Sequence, residues 1–537
     1  MQRSFFLLFF LSSFLLYSQV KTEIFVDGEL SEKRMFNDSL DFENYISGLN
    51  LKSISKGFLF AGLDSVSKTA DEVQVFIHKG NRIGSTLEGL NHKSIGKSIQ
   101  RRVRLLGSKG YPFASIRIDS TRILDSKLTG SIVEKRGPFI ENDSAVFFKE
   151  VKTSKSYIYH LLEHVPGEPF NELNYGRIDD KIERSSFLSL TRPVDISFQN
   201  GKAKLYLDIE EQQSGSFQGV LGLQQEGAGN TSVVGSFDLS IQNLFRSGKE
   251  LEIVWESFRK NSQELNLFYK HPFIVNSPIT PFFRFSLTKQ DSVFLSRSAD
   301  IGFSVFISPK IETSVAYLNQ KGSLLTTSEG VLLNSDIADF NSDAYRIELK
   351  QGRFSRLSEL KSSLAWSMGM GLGTKSIEKN LNLSDEFYDT LELRTTSFLL
   401  DLKLAFSRRV FNRQTIFSHL ESKTIDNDEL LNNERFRLGG LNSLRGFDEK
   451  SFFTDRYFLM RTEFRSFFEK GSFVYIFFDH LWYSNAEIND TPFATGAGFS
   501  LATQSGQFSF ALAVGKSENQ QIAFSNMKIH FGYITRF

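Results

Sequence analysis

The stretch YFLMRTEFRSFF, from Tyr457 to Phe468, alternates two kinds of side chain along its length. One face carries mostly phenylalanine and methionine, and the opposite face carries the charges of Arg461, Glu463 and Arg465. Because successive side chains of a β-strand point to opposite faces, this period of two predicts a strand. Charge on one face and phenylalanine on the other is typical of a barrel wall between lipid and an aqueous lumen.

The same alternation recurs from Gly215 to the end of the chain, for example in KELEIVWESF (Lys249–Phe258) and PFFRFSLTK (Pro281–Lys289). A membrane strand with its loop takes roughly twenty residues, so this region predicts about 16 antiparallel strands. Closing them into an all-β transmembrane barrel leaves no unpaired backbone in hydrocarbon. A water-soluble β-sandwich with its charges outside is the alternative.

The composition supports the barrel interpretation. The chain contains 55 phenylalanines among 537 residues and no cysteine. A soluble domain that exposed so many phenylalanines in strands would risk aggregation, whereas a lipid-facing barrel surface uses them. Stability must come from burial and backbone pairing, since no disulfide can form. The formal net charge of +1 gives no general attraction to nucleic acid, and we expect no such partner.

The first twenty residues, MQRSFFLLFFLSSFLLYSQV, contain one charge, at Arg3, and an apolar run from Phe5 to Leu16. This run is too short to span a bilayer as a helix and is typical of a secretory signal peptide. We predict that the signal occupies residues 1–18. A buried N-terminal helix is the alternative.

Upstream of residue 213, predicted strands alternate with predicted helices. Residues 137–212 contain a strand, two helical stretches and a final pair of strands that turn at Asn200-Gly201, a strong two-residue hairpin signal. This order predicts a small α+β module, in which two helices cover one face of a sheet.

Residues 19–136 contain a divergent copy of that module, with a helix near residues 93–110 and a hairpin after it. Two strands before the helix, KGFLFAGLDSV and DEVQVFIHKG, are predicted as part of the same copy. Residues 21–55 are polar and rich in turn formers, and we assign them no fold. The predicted fold class is therefore α+β modules followed by an all-β barrel at residues 213–537.

A glycine-rich loop interrupts the strands at RFRLGGLNSLRGF, Arg435 to Phe447. This run resembles the sixth extracellular loop of the Omp85 superfamily, whose hallmark is Arg-Gly-Phe or Arg-Gly-Tyr after a pair of glycines. The segments GVLGLQQEG and FYKHPF also resemble the first strands of that family, so the resemblance covers the whole barrel. It implies that the upstream modules are POTRA domains, as in assembly factors of the BamA and TamA type with the surface antigen D15 domain.

In the Omp85 superfamily this loop folds back into the lumen, where acidic groups of the inner wall fix its arginine. The resemblance implies that Arg445 is this arginine and that Asp479 and Glu463 are its candidate partners. The family's glycine two positions beyond the aspartate is Leu481 here, which leaves the pairing with Asp479 open. An ordinary exposed loop arginine is the alternative. The loop-motif residues that the resemblance selects are Gly439, Gly440, Leu444, Arg445, Gly446 and Phe447.

The last stretch, MKIHFGYITRF, alternates again and ends on phenylalanine. It resembles the C-terminal signal of bacterial outer-membrane barrels, although Thr535 stands where an apolar residue is usual. The resemblance selects Gly532, Tyr533 and Phe537 as that signal. It implies the outer membrane of a Gram-negative bacterium, with the POTRA modules in the periplasm.

Enzyme motifs are absent from the sequence. It contains no Gly-x-Ser-x-Gly and no His-Glu-x-x-His, and its histidines are scattered. The run NHKSIGKS has Asn91 where a phosphate-binding loop needs glycine, and it falls in a helical pattern. We expect no enzymatic activity, no metal and no cofactor.

Two mechanisms fit the resemblance. An assembly factor would receive client polypeptides through its POTRA modules and insert them through the seam between the first and last strands. A transporter of the two-partner-secretion type would instead export one dedicated polypeptide through the lumen. Such transporters typically carry a plug helix, and residues 21–55 show no proline and no clear long helix, which favours the assembly or translocation factor. A passive porin or surface receptor is the third alternative.

The partners expected from this interpretation are outer-membrane lipid and unfolded outer-membrane or secreted client polypeptides. Periplasmic chaperones or accessory subunits are further candidates that the resemblance allows.

Overall fold

The computed structural model contains strands from near the start of the chain to its last residues. The residues it describes are 20–36, 45, 48–49, 52–53, 56, 58, 60–68, 72–81, 84–85, 95–124, 127–226, 230–259, 262–326, 337–352, 354, 362–380, 385–389, 391–441, 443–484, 489–503 and 506–536. The signal peptide predicted at residues 1–18 and the terminal Phe537 lie outside the described residues. No helix within the described ranges is long and apolar enough to cross a membrane.

The chain divides into two compact units. The first, called the N-terminal unit, comprises Met1–Ser144, Pro166–Gly176 and Ile196–Lys204. The second, called the barrel unit, comprises Ala145–Val165, Arg177–Asp195 and Leu205–Phe537.

The N-terminal unit begins with a four-stranded sheet of order β2-β1-β4-β3. Its strands are β1 (Val20–Val26), β2 (Glu29–Phe36), β3 (Gly62–Lys68) and β4 (Glu72–His78), and β1 runs parallel to β4. A small core forms where buried Ile24 and Val75 meet Phe36 and Ile77, with Tyr45 and Leu49 packed against them.

This sheet corrects two expectations. The segment after residue 20, to which no fold was assigned, forms β1 and β2. Strands β3 and β4, predicted as part of the copy that follows, belong to this sheet instead, where β4 pairs with β1 and β3 pairs with β4. Strand β2 is exposed along all but its last residue, so its composition is that of a polar edge strand rather than a core strand. The Asp27-Gly28 turn between β1 and β2 was a hairpin signal that we did not use.

The second sheet contains the predicted helix and hairpin. Helix α1 (Ile95–Gly107) precedes β6 (Ser115–Leu124) and β7 (Lys127–Lys135), and the short β5 (Gly84–Ser85) pairs in parallel with β7. The sheet order is β5-β7-β6. The first and last strands are therefore parallel neighbours, as β1 and β4 are in the sheet before it.

The residues of the third module are divided between the two units. Its elements are β8 (Glu141–Asn142), β9 (Val146–Phe147), α2 (Lys155–Leu162), α3 (Glu172–Tyr175), α4 (Ile178–Ile182), β10 (Leu188–Leu190), β11 (Asp195–Gln199), β12 (Lys202–Leu207) and β13 (Ile209–Glu211). Strand β12 pairs in parallel with both β8 and β9, and β10 pairs with β13.

The predicted hairpin at Asn200-Gly201 is confirmed, with φ of 51° and 74° at the two turn residues. The second predicted helical stretch is instead two short helices. Asn171 begins α3 by accepting hydrogen bonds from the backbone N–H groups of Leu173 and Asn174, and Gly176 ends it. The opening strand is also shorter than predicted, because only Val146 and Phe147 pair with β12.

The barrel unit closes sixteen antiparallel strands within the described residues, as predicted. They are β14 (Gly215–Glu226), β15 (Asn230–Leu244), β16 (Lys249–Arg259), β17 (Ser262–Lys270), β18 (Thr280–Gln290), β19 (Phe294–Phe306), β20 (Ile311–Leu324), β21 (Asp339–Gln351), β22 (Ser363–Glu378), β23 (Arg394–Phe411), β24 (Gln414–Asp426), β27 (Arg456–Glu469), β28 (Ser472–Ser484), β30 (Phe493–Thr503), β31 (Gly506–Lys516) and β32 (Lys528–Arg536).

Short elements lie in the connections between these strands. They are α5 (Asp385–Asp389), β25 (Phe436–Leu438), β26 (Phe452–Thr454) and β29 (Asn489–Asp490), with single 3₁₀ turns at Ile274–Asn276 and Phe524–Asn526.

The two faces of β27 differ as the alternation predicted. Phe464 is 40% exposed on the outer face, whereas Glu463 and Arg465 on the opposite face are buried at 9% and 8%. The charges therefore lie on the lumen side of the wall. Since consecutive strands alternate in direction, every second connection lies at the end opposite the start of β14; we call this the far end of the barrel.

The seam between the first and last strands is short. In the described part of the chain, the register between β14 and β32 comprises Ser216↔Arg536 and Phe217↔Thr535, both near the start of β14. By comparison, β14 pairs with β15 along its whole length. Among the described residues, backbone pairing therefore holds the seam at the end where β14 begins.

Candidate functional site

The loop of residues 427–455, called the lumen loop, connects β24 to β27 and contains all six motif residues that the sequence selected. Its two arms pair as a hairpin, with Phe436 opposite Thr454 and Leu438 opposite Phe452. The hairpin brings the arms together, so the segment between them projects as a closed turn.

The glycine pair makes the turn tight. Gly440 has a φ of +90°, and a Cβ at this position would overlap the carboxylate of Glu449. That carboxylate accepts a hydrogen bond from the backbone N–H of Leu441 at 3.0 Å. The backbone N–H of Gly440 donates to the carbonyl of Leu444 at 3.0 Å, which positions the next residue, Arg445.

Arg445 makes four hydrogen bonds to two carboxylates of the wall, an arrangement that we call the arginine clamp. Its Nε and Nη2 donate to the two oxygens of Asp479 at 2.7 and 2.6 Å, and its Nη1 donates to Glu463 at 2.7 Å. The Arg445 backbone N–H also donates to Asp479, at 3.4 Å. Bidentate pairing of a planar guanidinium with a carboxylate fixes orientation as well as charge.

The clamp is buried and continues to a second arginine. Asp479 is fully buried and Arg445 is 4% exposed. The other oxygen of Glu463 accepts from Arg465 Nε at 2.8 Å, so the two carboxylates bind two arginines. Arg461 of β27 lies opposite Asp479 in the strand register. The Arg445 guanidinium also lies 3.6 Å from the centre of the Phe477 ring, a cation–π contact that is favourable in a desolvated site. Removing one member would leave a buried charge without its partner.

The residues after Arg445 pack against the last strands. Gly446 has a φ of +82°, and a Cβ there would lie 2.9 Å from the carbonyl carbon of Val514. Phe447 is 4% exposed and packs edge-to-face on Phe452 at 5.0 Å. Gln520 Nε2 donates to the carbonyl of Gly446 at 3.1 Å. The motif is therefore held by its own loop through Phe452 and by the chain around the last strands through Val514 and Gln520.

The departure from the family pattern at Leu481 does not prevent the pairing with Asp479. Leu481 is fully buried in an apolar cluster with Leu444 and Phe447 of the lumen loop. Asp479 and Leu481 alternate on the same face of β28, so the leucine packs on the loop while the aspartate holds its arginine. The structure thus brings together Arg445, Asp479 and Glu463.

Sequence reasoning missed three participants. Arg465 had been placed on the lumen face by alternation, but nothing marked it as sharing Glu463. Phe477 is two positions before Asp479 on one strand face, which is a usable signal for a ring beside a buried arginine. Gln520 had no signal at all, because a loop glutamine that bonds a distant carbonyl leaves no local pattern.

Gly446→Val is expected to displace the motif from the last strands. The added side chain would overlap the Val514 backbone, and residue 446 has a positive φ that a side chain disfavours. We expect trypsin to cut the detergent-solubilised variant at Arg445 at least about tenfold faster than the wild type. This corresponds to a loss of roughly 1.4 kcal/mol in the free energy that keeps the motif buried. Gly167→Val is the matched control, since Gly167 has a φ of +87° and open space around it. Equal cleavage in both variants would contradict the packing role of Gly446.

A second anchor holds the lumen loop at the far end of the barrel. Lys375 of β22 is 1% exposed at its side chain and donates to the Glu434 carboxylate and to the Glu429 carbonyl of the loop. Asn433 donates to the Ala338 carbonyl at 3.0 Å. Around them lies a buried apolar group, called the far-end cluster: Phe294, Ile337, Ala338, Phe340, Ile377, Tyr388 and Leu431.

Ion pairs also line the barrel wall away from the clamp. Arg284 bonds Asp300 at 2.8 Å, and Arg346 and Lys423 each lie 3.6 Å from Asp401. These residues belong to β18, β19, β21, β23 and β24. A lumen lined with paired charges presents polar groups to its contents, and the pairs compensate one another.

The terminal residues selected as a barrel signal are partly described. Gly532 and Tyr533 lie in β32 and pair with Ser509 and Phe508 of β31. Phe537 lies outside the described residues. Their role as a targeting signal stays a prediction.

Residues 335–503 match the family model described as Haemolysin secretion/activation protein ShlB/FhaC/HecB. This range contains the lumen loop and both carboxylates of the arginine clamp. The fold is also similar to that of CdiB from Acinetobacter baumannii, with a TM-score of 0.54, 14% identity, and coverage of 97% of this chain and 91% of that one. The chain is thus similar to this secretion family over residues 335–503 and to CdiB in its barrel fold.

Another solved structure, CdiB from Escherichia coli, matches with a TM-score of 0.52 and 12% identity, covering 97% of this chain and 90% of that one. A short match of a different kind is to CBL-interacting serine/threonine-protein kinase 15 of Arabidopsis thaliana, 33% identical over 87 residues. The chain spans 21% of the length of that kinase, and the match covers 16% of this chain.

Proposed function

We propose that this Omp85 barrel is an outer-membrane transporter that exports a dedicated polypeptide through its lumen, in the manner of two-partner secretion. The upstream modules act as POTRA domains that receive the unfolded client in the periplasm. The lumen loop is the constriction, and the protein carries out no catalytic step. The observation that carries the proposal is the arginine clamp, which fixes the loop to the inner wall.

A constriction that opens must be held by contacts that can break as a unit. The arginine clamp has this property, because its hydrogen bonds converge on one guanidinium. When that guanidinium leaves, the bonds to Asp479 and to Glu463 are lost together. The match to a secretion family model over the same residues supports export over a passive channel.

The paired charges of the wall support a polypeptide as cargo. An extended chain exposes its backbone polar groups along its length, and a polar wall can solvate them while offering few apolar contacts that would trap the chain. Because wall charges such as those of Arg346 and Asp401 already face one another, neither sign of client charge is strongly held.

Assembly of other barrels, which the sequence favoured, is the second candidate. The short register between β14 and β32 supports it, since a seam with little pairing leaves strand edges for an incoming strand. Residues 20–36 form two strands of a sheet and no plug helix, which agrees with the argument for assembly made from residues 21–55.

Depleting the protein in its native cell separates the two functions. We expect the secreted proteome to lose one polypeptide, or a few, while the outer-membrane proteome keeps its barrels at normal amounts. Both proteomes should be quantified at the same times after depletion, with complementation by the wild-type gene as the control. Loss of many unrelated barrels would instead support the assembly function.

A further inference from the structure

The residues directly after the motif, Asp448-Glu449-Lys450, carry charges that neither the clamp nor the far-end cluster uses. Asp448 forms an ion pair with Lys528, the first residue of β32, with 2.6 Å between Asp448 Oδ1 and Lys528 Nζ. Lys450 donates to Glu264 of β17 and lies 3.9 Å from Glu256 of β16. The two ends of this three-residue segment therefore contact strands on opposite sides of the seam.

These contacts lie at the end of the seam where the described residues of β14 and β32 form no backbone pairs. Lys528 begins β32 and Glu264 lies near the start of β17, so both are at the far end of the barrel. The register between β14 and β32 described above lies at the other end, at Ser216 and Phe217. The segment thus spans the part of the seam that strand hydrogen bonds do not close within the described residues.

The backbone of the segment is strained in a way that fits this role. Lys450 has a φ of +54°, in the left-handed region that residues with a side chain rarely adopt. Such a conformation persists where surrounding contacts hold it. The neighbouring Glu449 is held as well, by its hydrogen bond from Leu441. The segment is therefore fixed between its two ion pairs.

We propose that Lys528–Asp448 and Lys450–Glu264 form an ionic bridge through which the lumen loop keeps the far end of the seam closed. When the loop leaves the lumen, both ion pairs break and β32 is free to separate from β14. Movement of the constriction and opening of the seam are then one event. Asp448 and Lys450 act as positioning residues, because they hold strands and do not contact the client.

The bridge rests on the proposed function for its purpose, since it couples the export constriction to the wall. The test of the bridge needs no client polypeptide. The bridge can therefore be disproved while the export proposal stands, and the export proposal can be disproved while the bridge stands. The chain has no cysteine, which allows spin labels to be attached only at introduced cysteines. Ser257→Cys on β16 and Lys516→Cys on β31 place one label on each side of the seam at the far end.

In this labelled background, Lys450→Glu puts like charges together at Glu264 and Glu256. We expect the mean distance between the labels, measured by double electron–electron resonance, to lengthen by on the order of 5 Å, one interstrand spacing. The exchange Lys450→Glu with Glu264→Lys restores attraction and is expected to return the distance to its original value. Lys470→Glu, an exposed charge reversal in a turn at the other end, is the matched control.

An unchanged distance in Lys450→Glu would overturn the bridge, and so would a lengthened distance that the charge exchange does not reverse. Folding of each variant is checked by its heat-modifiable gel mobility. If Lys450→Glu does not fold, Asp448→Asn tests the other ion pair without adding a repulsion, and there the lengthening is expected to be smaller but present. An unchanged distance in that variant would also contradict the proposal.

Discussion

Replacing Asp479 with alanine is expected to release the lumen loop and to lower the free energy of unfolding by about 3–5 kcal/mol, the usual effect of breaking a buried ion pair. Asp479 is fully buried and accepts two of the three guanidinium hydrogen bonds of Arg445. Without it, Arg445 keeps only Glu463, which it shares with Arg465. Arg445 and Arg465 then have one carboxylate between them.

The measurement for Asp479→Ala combines stability with conductance. Unfolding in urea, followed in detergent by heat-modifiable mobility, gives the loss of stability, and planar bilayers report whether the lumen opens. We expect a folded barrel with a higher conductance and reduced export. Asp428→Ala is the control, because Asp428 is an exposed carboxylate of the same loop.

Removing both partners separates charge from packing. In Arg445→Met with Asp479→Leu, both partners of the bidentate pair are removed and Glu463 keeps Arg465. We expect this double variant to recover much of the lost stability and to remain defective in export. If the double variant were as unstable as Asp479→Ala, the loss would lie in packing, and the electrostatic account of the clamp would be wrong.

The barrel could be predicted from the sequence because the alternation that identifies each strand lies within that strand. A wall between lipid and water imposes a period of two on every strand, and β27 shows this in Phe464 and Glu463 alone. The number of strands followed from length. Strand β2 escaped prediction because an exposed edge strand has no buried face to create a pattern.

Some residues of the candidate site could be selected from the sequence, and others could not. Arg445 and its two carboxylates were selected through a resemblance, since no pattern within the chain connects residues 18 and 34 positions apart. Leu481 left the pairing open because a sequence cannot show that a leucine fits beside the loop. The ion pairs of Lys375 and of Lys450 were missed altogether, because each joins a strand to a distant loop residue that looks like solvated charge.

Replacing Glu434 with alanine is the second change for which we expect a large effect. The buried Lys375 ammonium would then lose the Glu434 carboxylate. Of its two acceptors described above, the Glu429 carbonyl would remain. Loss of about 3 kcal/mol at this anchor predicts roughly 100-fold faster amide exchange in residues 337–340, which include Ile337, Ala338 and Phe340 of the far-end cluster. Hydrogen exchange with mass spectrometry measures this directly.

The control for Glu434→Ala is Glu392→Ala, an exposed glutamate near the same cluster. The variant Lys375→Met with Glu434→Leu removes both charges and should restore much of the protection, by the same reasoning as for the clamp. Exchange that stays slow in Glu434→Ala would contradict the anchoring role of Lys375.

Conductance distinguishes the two anchors of the lumen loop. Glu434→Ala leaves Arg445 bound to Asp479 and Glu463, so the far-end cluster should loosen while conductance stays low. Asp479→Ala leaves Lys375 bound to Glu434, so the cluster should stay protected while conductance rises. If either single change altered both measurements equally, the loop would be one rigid body, and opening the lumen would require its two anchors to be released together.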